Sequence, residues 1–420
     1  MVLLPFLFLF GTVISQDSIS TDSLPTAHKE VQASVQFMTP NSGTQFEVDP
    51  IHSEKFGRLL VQDFEGRIKP MNTHTLELLR KIYKKDRYRI SKDKSVSSDQ
   101  WFLAMQIDPT SWADADIIKV AAKGGEELLA ETQANAEGYT SYMKLVDPHT
   151  GQYKLESQYN AAFSKRAADQ SNYDKEVINI TERFNVFSNI VYGYYTKVIP
   201  IQNDPGESWT SWIYSTEDSP VEINKVAYDF ITQYYNNLKS GFATGDWTGA
   251  DKSLQAMVDY QHEWGKNVIP SDAKVNLEVM YNKVNIFFWL MIVYSMLGGV
   301  LIFLAFIEVF STENRLGKII HKATLFFLGL LGLAFLVHLL GLAARWYLSG
   351  HAPWSNGYEA IVFISSIGVL SGLILYRNRN AFIPAAGAIV AMIMMGFAHG
   401  GGLLDPQITP LVPVLKSYWL

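Results

Sequence analysis

The sequence predicts a mainly α-helical protein in which a polytopic membrane domain of four spans follows a mostly helical extracytoplasmic domain. Three observations carry this. Of the 35 basic and 41 acidic residues, seven and four lie from Val284 onward, which leaves 28 and 37 before it. Four long apolar runs fill most of that charge-poor remainder. Upstream of it, apolar residues recur at helical rather than strand spacing.

A chain of 420 residues ordinarily holds two or three domains, but this composition is so uneven that the two parts are read separately. The acidic front part argues against nucleic acid as a partner, because phosphate contact needs a positive field. There is no cysteine, so the chain forms neither a disulfide nor a zinc–thiolate site and cannot hold haem through thioethers. Any haem or metal rests on His, Met or carboxylate. A hydrolytic reading lacks its motifs: there is no nucleophile elbow, no HExxH and no phosphate loop.

Within residues 1–15, "VLLPFLFLFGTVIS" is an uncharged apolar run of signal-peptide length, too short for a comfortable span. Val13 and Ser15 suit a cleavage site, yet no Lys or Arg precedes the run. The segment is therefore either an atypical signal or the end of a longer membrane segment. Residues 16–50 are polar and form a flexible linker. The acidic domain 51–283 opens with Phe56, Leu59, Leu60 and Val61 ahead of the turn signal "EGR", after which Leu76, Leu79 and Ile82 fall at helix spacing. Arg80, Lys81, Lys84 and Lys85 gather toward that helix's C-terminus, where the dipole favours them; a solvated face is preferred over a binding stripe. Farther on, Val226, Phe230, Tyr234 and Leu238 stripe one helix and Leu254, Met257 and Val258 begin another, giving a helical hairpin with no second copy at a fixed period. Trp101, Trp112, Trp209, Trp212, Trp247 and Trp264 are read mostly as core anchors.

The membrane domain 284–420 has predicted spans at about 284–310, 323–344, 359–376 and 381–398, each long enough for a hydrocarbon core about 30 Å thick. The first connection carries Arg315, Lys318 and Lys322 and the third Arg377 and Arg379, against Arg345 alone in the second and Lys416 in the tail. The positive-inside bias puts the first and third in the cytoplasm. The acidic domain, the second connection and the tail then lie on the outer face of a bacterial inner membrane.

That second connection, "RWYLSGHAPWSNGYEA", is crowded with aromatic and hydrogen-bonding groups. Trp346, Tyr347 and Trp354 suit an interfacial belt. The belt leaves Ser349, Gly350, His351, Pro353, Ser355, Asn356, Gly357 and Glu359 unexplained, and these supply turn geometry and converging polar groups. His338 lies in mid-span, where an ionisable group is a functional candidate by default: an intramembrane contact for haem or quinone, or a neutral imidazole bonded to a neighbouring helix. His399 is a ligand or a solvated cap, and His321 a solvated loop residue.

The segments "LGLAARWYLSGHAPWSNGYEAIVFIS" and "LLDPQITPLVPVLKSYWL" resemble the start of the cytochrome c assembly family, the CcsA type of the system II haem-handling proteins. "EKFGRLLVQDFEGRIKPMNT" and "PSDAKVNLEVMYNKVNIF" are similar to the periplasmic region before the CcsA part of fused CcsB–CcsA proteins. The resemblance runs from about His52 to Leu420. It implies movement of reduced haem b to an external site and its attachment to the Cys-X-X-Cys-His motif of apocytochrome c. In that family a Trp-rich WWD segment presents the haem edge and two histidines flanking it ligate iron. The first of these follows the stretch matched by "PVLKSYWL", so no ligand carries over by motif; His338 and His351 match other positions. The resemblance thus implies part of a cytochrome c haem lyase, completed by CcsB-type or remaining CcsA-type segments, whose catalytic residues and metal ligands this chain does not identify.

The expected haem-facing or apocytochrome-facing wall comprises Trp346, Trp354 and Tyr358 beside the porphyrin, with His351, Asn356 or Glu359 meeting propionates or the apocytochrome. The competing expectation is a membrane-tethered binding or scaffold protein with no haem chemistry, for which the polar loop and His338 have no use.

Overall fold

A computed structural model describes residues 47–91, 93–211, 221–310, 315–376, 380–400, 404 and 406–408. The signal-like run, most of the linker, Trp212, Arg377, Arg379 and Lys416 lie outside the described residues. The chain divides into two compact units between Ile269 and Pro270.

The first unit is helical, punctuated by short hairpins. Helix α1 (Pro50–Phe56) starts where Asp49 accepts from the His52 amide, with Pro50 at its first position. Strands β1 (Leu60–Gln62) and β2 (Ile68–Pro70) pair antiparallel around the expected turn. Helix α2 (Met71–Tyr83) buries Leu76, Leu79 and Ile82, as their spacing predicts, and stops at Lys84 in the left-handed region. Its basic residues are tied up at the surface, Arg80 with Asp86 at 2.6 Å and Lys81 with Glu182 at 2.5 Å, which is the solvated-face reading.

Strands β3 (Arg87–Arg89) and β4 (Ser95–Ser97) lead into α3 (Ser98–Ile107), opened by a Ser97–Gln100 capping box, and α4 (Pro109–Asp114). Strand β5 (Ile118–Lys119), α5 (Glu126–Glu131) and β6 (Tyr139–Thr140) follow, then α6 (Glu156–Phe163) and α7 (Asn172–Val191). Strands β7 (Ile199–Pro200) and β8 (Trp209–Thr210) precede the predicted helical hairpin, α8 (Val221–Thr244) and α9 (Thr248–Trp264). Its buried stripe is Ala227, Ile231, Tyr234 and Leu238 against Ala250, Leu254 and Met257, so Val226 and Phe230 sit at its margin. Trp101, Trp112 and Trp209 are buried, as core anchors should be.

Two polar clusters are sealed into this unit. His52 Nδ1 bonds Asp251 at 2.7 Å and its Nε2 meets the Tyr234 hydroxyl at 2.9 Å, with the ring stacked on Trp247, so α1 is clasped to the α8–α9 hairpin. Burial holds the His52 imidazole below its usual pKa despite Asp251. Lys69, 1% exposed, donates to Glu77 at 2.6 Å and lies 3.0 Å from Asp63. Burial pushes the Glu77 carboxyl up to about 7, with Lys69 opposing.

The second unit begins with α10 (Asp272–Val284), which the charge pattern assigns to the front domain but which packs with the spans. The spans are α11 (Ile286–Phe310), α12 (Arg315–Ser349), α13 (Gly357–Ile374) and α14 (Phe382–His399). All four are long and apolar enough to cross a membrane, and this is a membrane protein. Helix α12 runs past its predicted bounds at both ends; no Pro intervenes between Arg315 and Gly350, and Gly317, Gly329, Gly332 and Gly341 are carried within it. Helices α13 and α14 approach through small residues: a Cβ on Gly387 would lie 2.7 Å from the Gly368 carbonyl oxygen. Tyr294, Leu301, Leu331, Val362, Val369, Ala385, Ala388 and Met395 fill the bundle, while Phe303, Phe306, Leu340 and Ile374 face outward.

Candidate functional site

The end of the bundle where α12 and α14 finish and α13 begins carries the aromatic and polar loop. Gly350 turns the chain off α12 with φ +77°, a region open to glycine without strain. Gly357 is instead the first helical residue of α13, and a Cβ there would meet Leu404 at 3.2 Å. Asn356 caps α13, its Oδ1 accepting from the Glu359 amide at 2.9 Å.

Under the loop lies a buried ion pair. Arg345, 1% exposed, donates from Nε to Glu359 Oε1 at 2.7 Å, from Nη1 to the Pro406 carbonyl at 2.9 Å and from Nη2 to the Gln407 carbonyl at 2.8 Å. Glu359, 0% exposed, uses Oε2 to accept from both the amide and the hydroxyl of Ser355, each at 2.8 Å. The guanidinium also sits 5.2 Å from the Tyr358 ring centroid. Burying two charges is tolerable only when donors and lone pairs find partners, and here each guanidinium nitrogen and both carboxylate oxygens have one.

The expected wall therefore separates into parts. Trp346 and Trp354 stand on the surface, 54% and 57% exposed, Trp354 with its edge on Phe363 at 5.2 Å. Tyr358 is buried, its hydroxyl 3.4 Å from His399 Nε2, while His399 Nδ1 donates to the Met395 carbonyl at 2.9 Å. His351 is folded onto its own loop, Nδ1 donating to the Ala352 carbonyl at 3.1 Å. Asn356 and Glu359 point into the cap and the ion pair rather than outward.

His338 lies deeper and fully buried. The Val362 carbonyl, 3.2 Å from Nε2, can only accept, so Nε2 carries the proton and Nδ1 accepts from the Tyr294 hydroxyl at 3.1 Å. Both ring nitrogens are thus engaged, and the imidazole cross-links α11, α12 and α13. Among the described residues no group of three or more His, Asp or Glu side chains is arranged to hold a metal ion. The loop end of the bundle thus presents two exposed indole rings, Trp346 and Trp354, beside a rigid polar scaffold.

Arg345 entered the sequence reading only as a charge count, and the segment at 406–408 not as a partner at all. The cap was there to be read: Asn356-Gly357-Tyr358-Glu359 has the spacing of a helix start with an acidic third residue.

The chain is similar to protein NrfI of Wolinella succinogenes, 30% identical over 371 residues, which cover 88% of this chain and 39% of that protein. Its C-terminal part is similar to the cytochrome c biogenesis protein CcsA of Lobularia maritima, 36% identical over 96 residues, or 22% of this chain and 27% of the relative. It is also similar to the CcsA protein of Amborella trichopoda, 36% identical over 81 residues, or 19% and 26%. The chain thus spans about two fifths of the first relative's length and about a quarter of the others'. No family model matches it.

Proposed function

We propose, from its similarity to NrfI and to CcsA-type cytochrome c biogenesis proteins, that this chain handles haem during system II cytochrome c biogenesis, at the bundle end that carries Trp346 and Trp354. The observation that carries this is the pair of exposed indoles flanking a loop fixed from below by Arg345 and Glu359. Interfacial anchoring accounts for exposed indoles by themselves, but a belt has no need of the fixed polar loop beside them, and a porphyrin face fits rings held next to such a loop. The haem is haem b, and the chain that receives it is an apocytochrome c whose cysteine thiols add to the vinyl groups. Since this chain has no cysteine, no thiol of its own competes for them. Its share is to bind, orient and shield the substrate, not to move protons.

Sidedness follows from charge in this reading. Arg315, Lys318 and Lys322 lie at the far end of α12 from the loop, which favours a cytoplasmic position for them and the outer face of the inner membrane for the aromatic loop. CcsB-type or further CcsA-type segments supply the iron ligands. Because the chain spans less than half of NrfI, haem lyase activity is attributed to such a completed assembly.

The test is cytochrome c maturation and haem titration with Trp346→Ala and Trp354→Ala in the complete protein; both should fall together. A second reading, a membrane tether without haem chemistry, is favoured by the internal commitment of His338, Asn356 and Glu359. Full maturation in the double Trp variant is the result that would select it.

A further inference from the structure

We propose that Arg345 is a positioning residue that builds the candidate haem-facing surface from two separate stretches, the loop 350–356 and the segment 406–408. Its ligand rests on the haem reading above; the clip itself does not. The argument begins with direction. Three guanidinium nitrogens reach three different acceptors, the Glu359 carboxylate and the carbonyls of Pro406 and Gln407, at 2.7 to 2.9 Å. Lysine is a point charge on a flexible stem and cannot hold that planar fork. Charge neutralisation alone needs Glu359 and nothing more.

The acceptors also matter by their place in the chain. Pro406 and Gln407 belong to a stretch without helix or strand pairing, and Pro406 has no amide to donate. Their carbonyls are satisfied by Arg345, sixty-one and sixty-two residues earlier. The same stretch lays Leu404 against Gly357 and buries Ile408 to 4% exposure. On the other side of the ion pair, Glu359 Oε2 takes the Ser355 amide and hydroxyl. One guanidinium therefore sets the loop through Glu359 and the later segment directly. Trp346, the next residue after Arg345, and Trp354, the residue before Ser355, are left outside by that arrangement, as is Tyr347.

The absence of cysteine makes the test direct. Ile408→Cys in the full 420-residue chain, in lipid nanodiscs, places one thiol at the buried end of the clip, and its maleimide labelling rate reads the segment's opening. Labelling should be slow in the parent and about a hundredfold faster with Arg345→Gln/Glu359→Gln, the weight of losing several charge-assisted hydrogen bonds. That neutral pair removes the buried-charge penalty, so the thermal midpoint should recover relative to Arg345→Gln alone while labelling stays fast; a merely charge-balancing role predicts recovery of both. Arg345→Lys should also label fast, and it carries this arm if the neutral pair fails to fold. Unchanged labelling in either variant overturns the clip. Ferrous haem b titrated into the parent and the neutral pair supplies the second arm, with affinity expected to fall at least about tenfold. Equal affinities overturn the link between clip and haem surface. A parent that binds no haem overturns the claim that this chain alone suffices to hold it, and labelling alone then decides the clip.

Discussion

His338 and Tyr294 meet across neighbouring spans at 3.1 Å, and the opposite nitrogen of the same imidazole donates to the Val362 carbonyl at 3.2 Å. The histidine that the sequence singles out as an intramembrane candidate is a cross-link. Replacing it with Phe should lower stability by about 1–2 kcal/mol, the scale of two interhelical hydrogen bonds in a membrane. Denaturant titration in detergent measures this. Any haem absorbance of the parent should survive; its disappearance with the fold intact would make His338 a ligand instead.

The Arg345–Glu359 pair should behave non-additively. Each single neutralisation strands a buried charge and should cost about 3–5 kcal/mol, whereas the double change should cost clearly less than the sum. A double-mutant cycle on unfolding midpoints gives the coupling, and additive losses would contradict the buried pairing.

Glu77 gives a pH signature. Its folded pKa of about 7 lies above the ordinary 4.5, so the native state holds that proton more tightly than the unfolded chain. Its contribution is complete below the unfolded value and is lost as pH rises through about 7. His52, whose imidazole is held low by burial, acts oppositely, contributing above its usual pKa and losing that contribution as pH falls. Unfolding midpoints from pH 4 to 8 should therefore differ between parent and Glu77→Gln by a curve that bends near about 7. A pH-independent difference would place the carboxyl elsewhere.

The start of α7 offers a local control. Ser171 accepts from the Asp174 amide at 3.1 Å, and Asp174 returns a bond to the Ser171 amide at 2.8 Å. Ser171→Ala should cost about 1 kcal/mol. Lys165, with Ser171, holds the Asp174 carboxyl down at about 2, so its contribution is present above 3.8 and lost as pH falls through about 2. Acid titration of Asp174→Asn against the parent should show that loss removed.

Trp346→Ala and Trp354→Ala should separate binding from folding. Both rings are more than half exposed, so stability should change by no more than about 0.5 kcal/mol. Haem affinity should nevertheless fall. A large drop in midpoint with either variant would show that the ring is packing rather than waiting.

The spans were legible because twenty apolar residues admit few readings, and the α8–α9 hairpin because its stripe keeps helical period. The four two-stranded pairings among the described residues were not, since two or three paired residues such as Ile118–Lys119 with Tyr139–Thr140 leave no alternation to detect. At the site, aromatic exposure was foreseeable from the belt residues. The inward turn of Glu359 was not, because it depends on α12 and α13 lying antiparallel. An Arg near the end of one span and a Glu in the first turn of the next, across one short loop, was the available signal.

The spacing within the Arg345 clip also orders events during synthesis. Glu359 follows Arg345 by 14 residues, about one to three seconds at common elongation rates, so α12 and α13 can leave the insertion machinery as a hairpin already neutral at its tip. The carbonyls of Pro406 and Gln407 arrive later, at separations of 61 and 62 residues. The segment 406–408 can therefore join the clip only after α14, which precedes it in the chain, has been made.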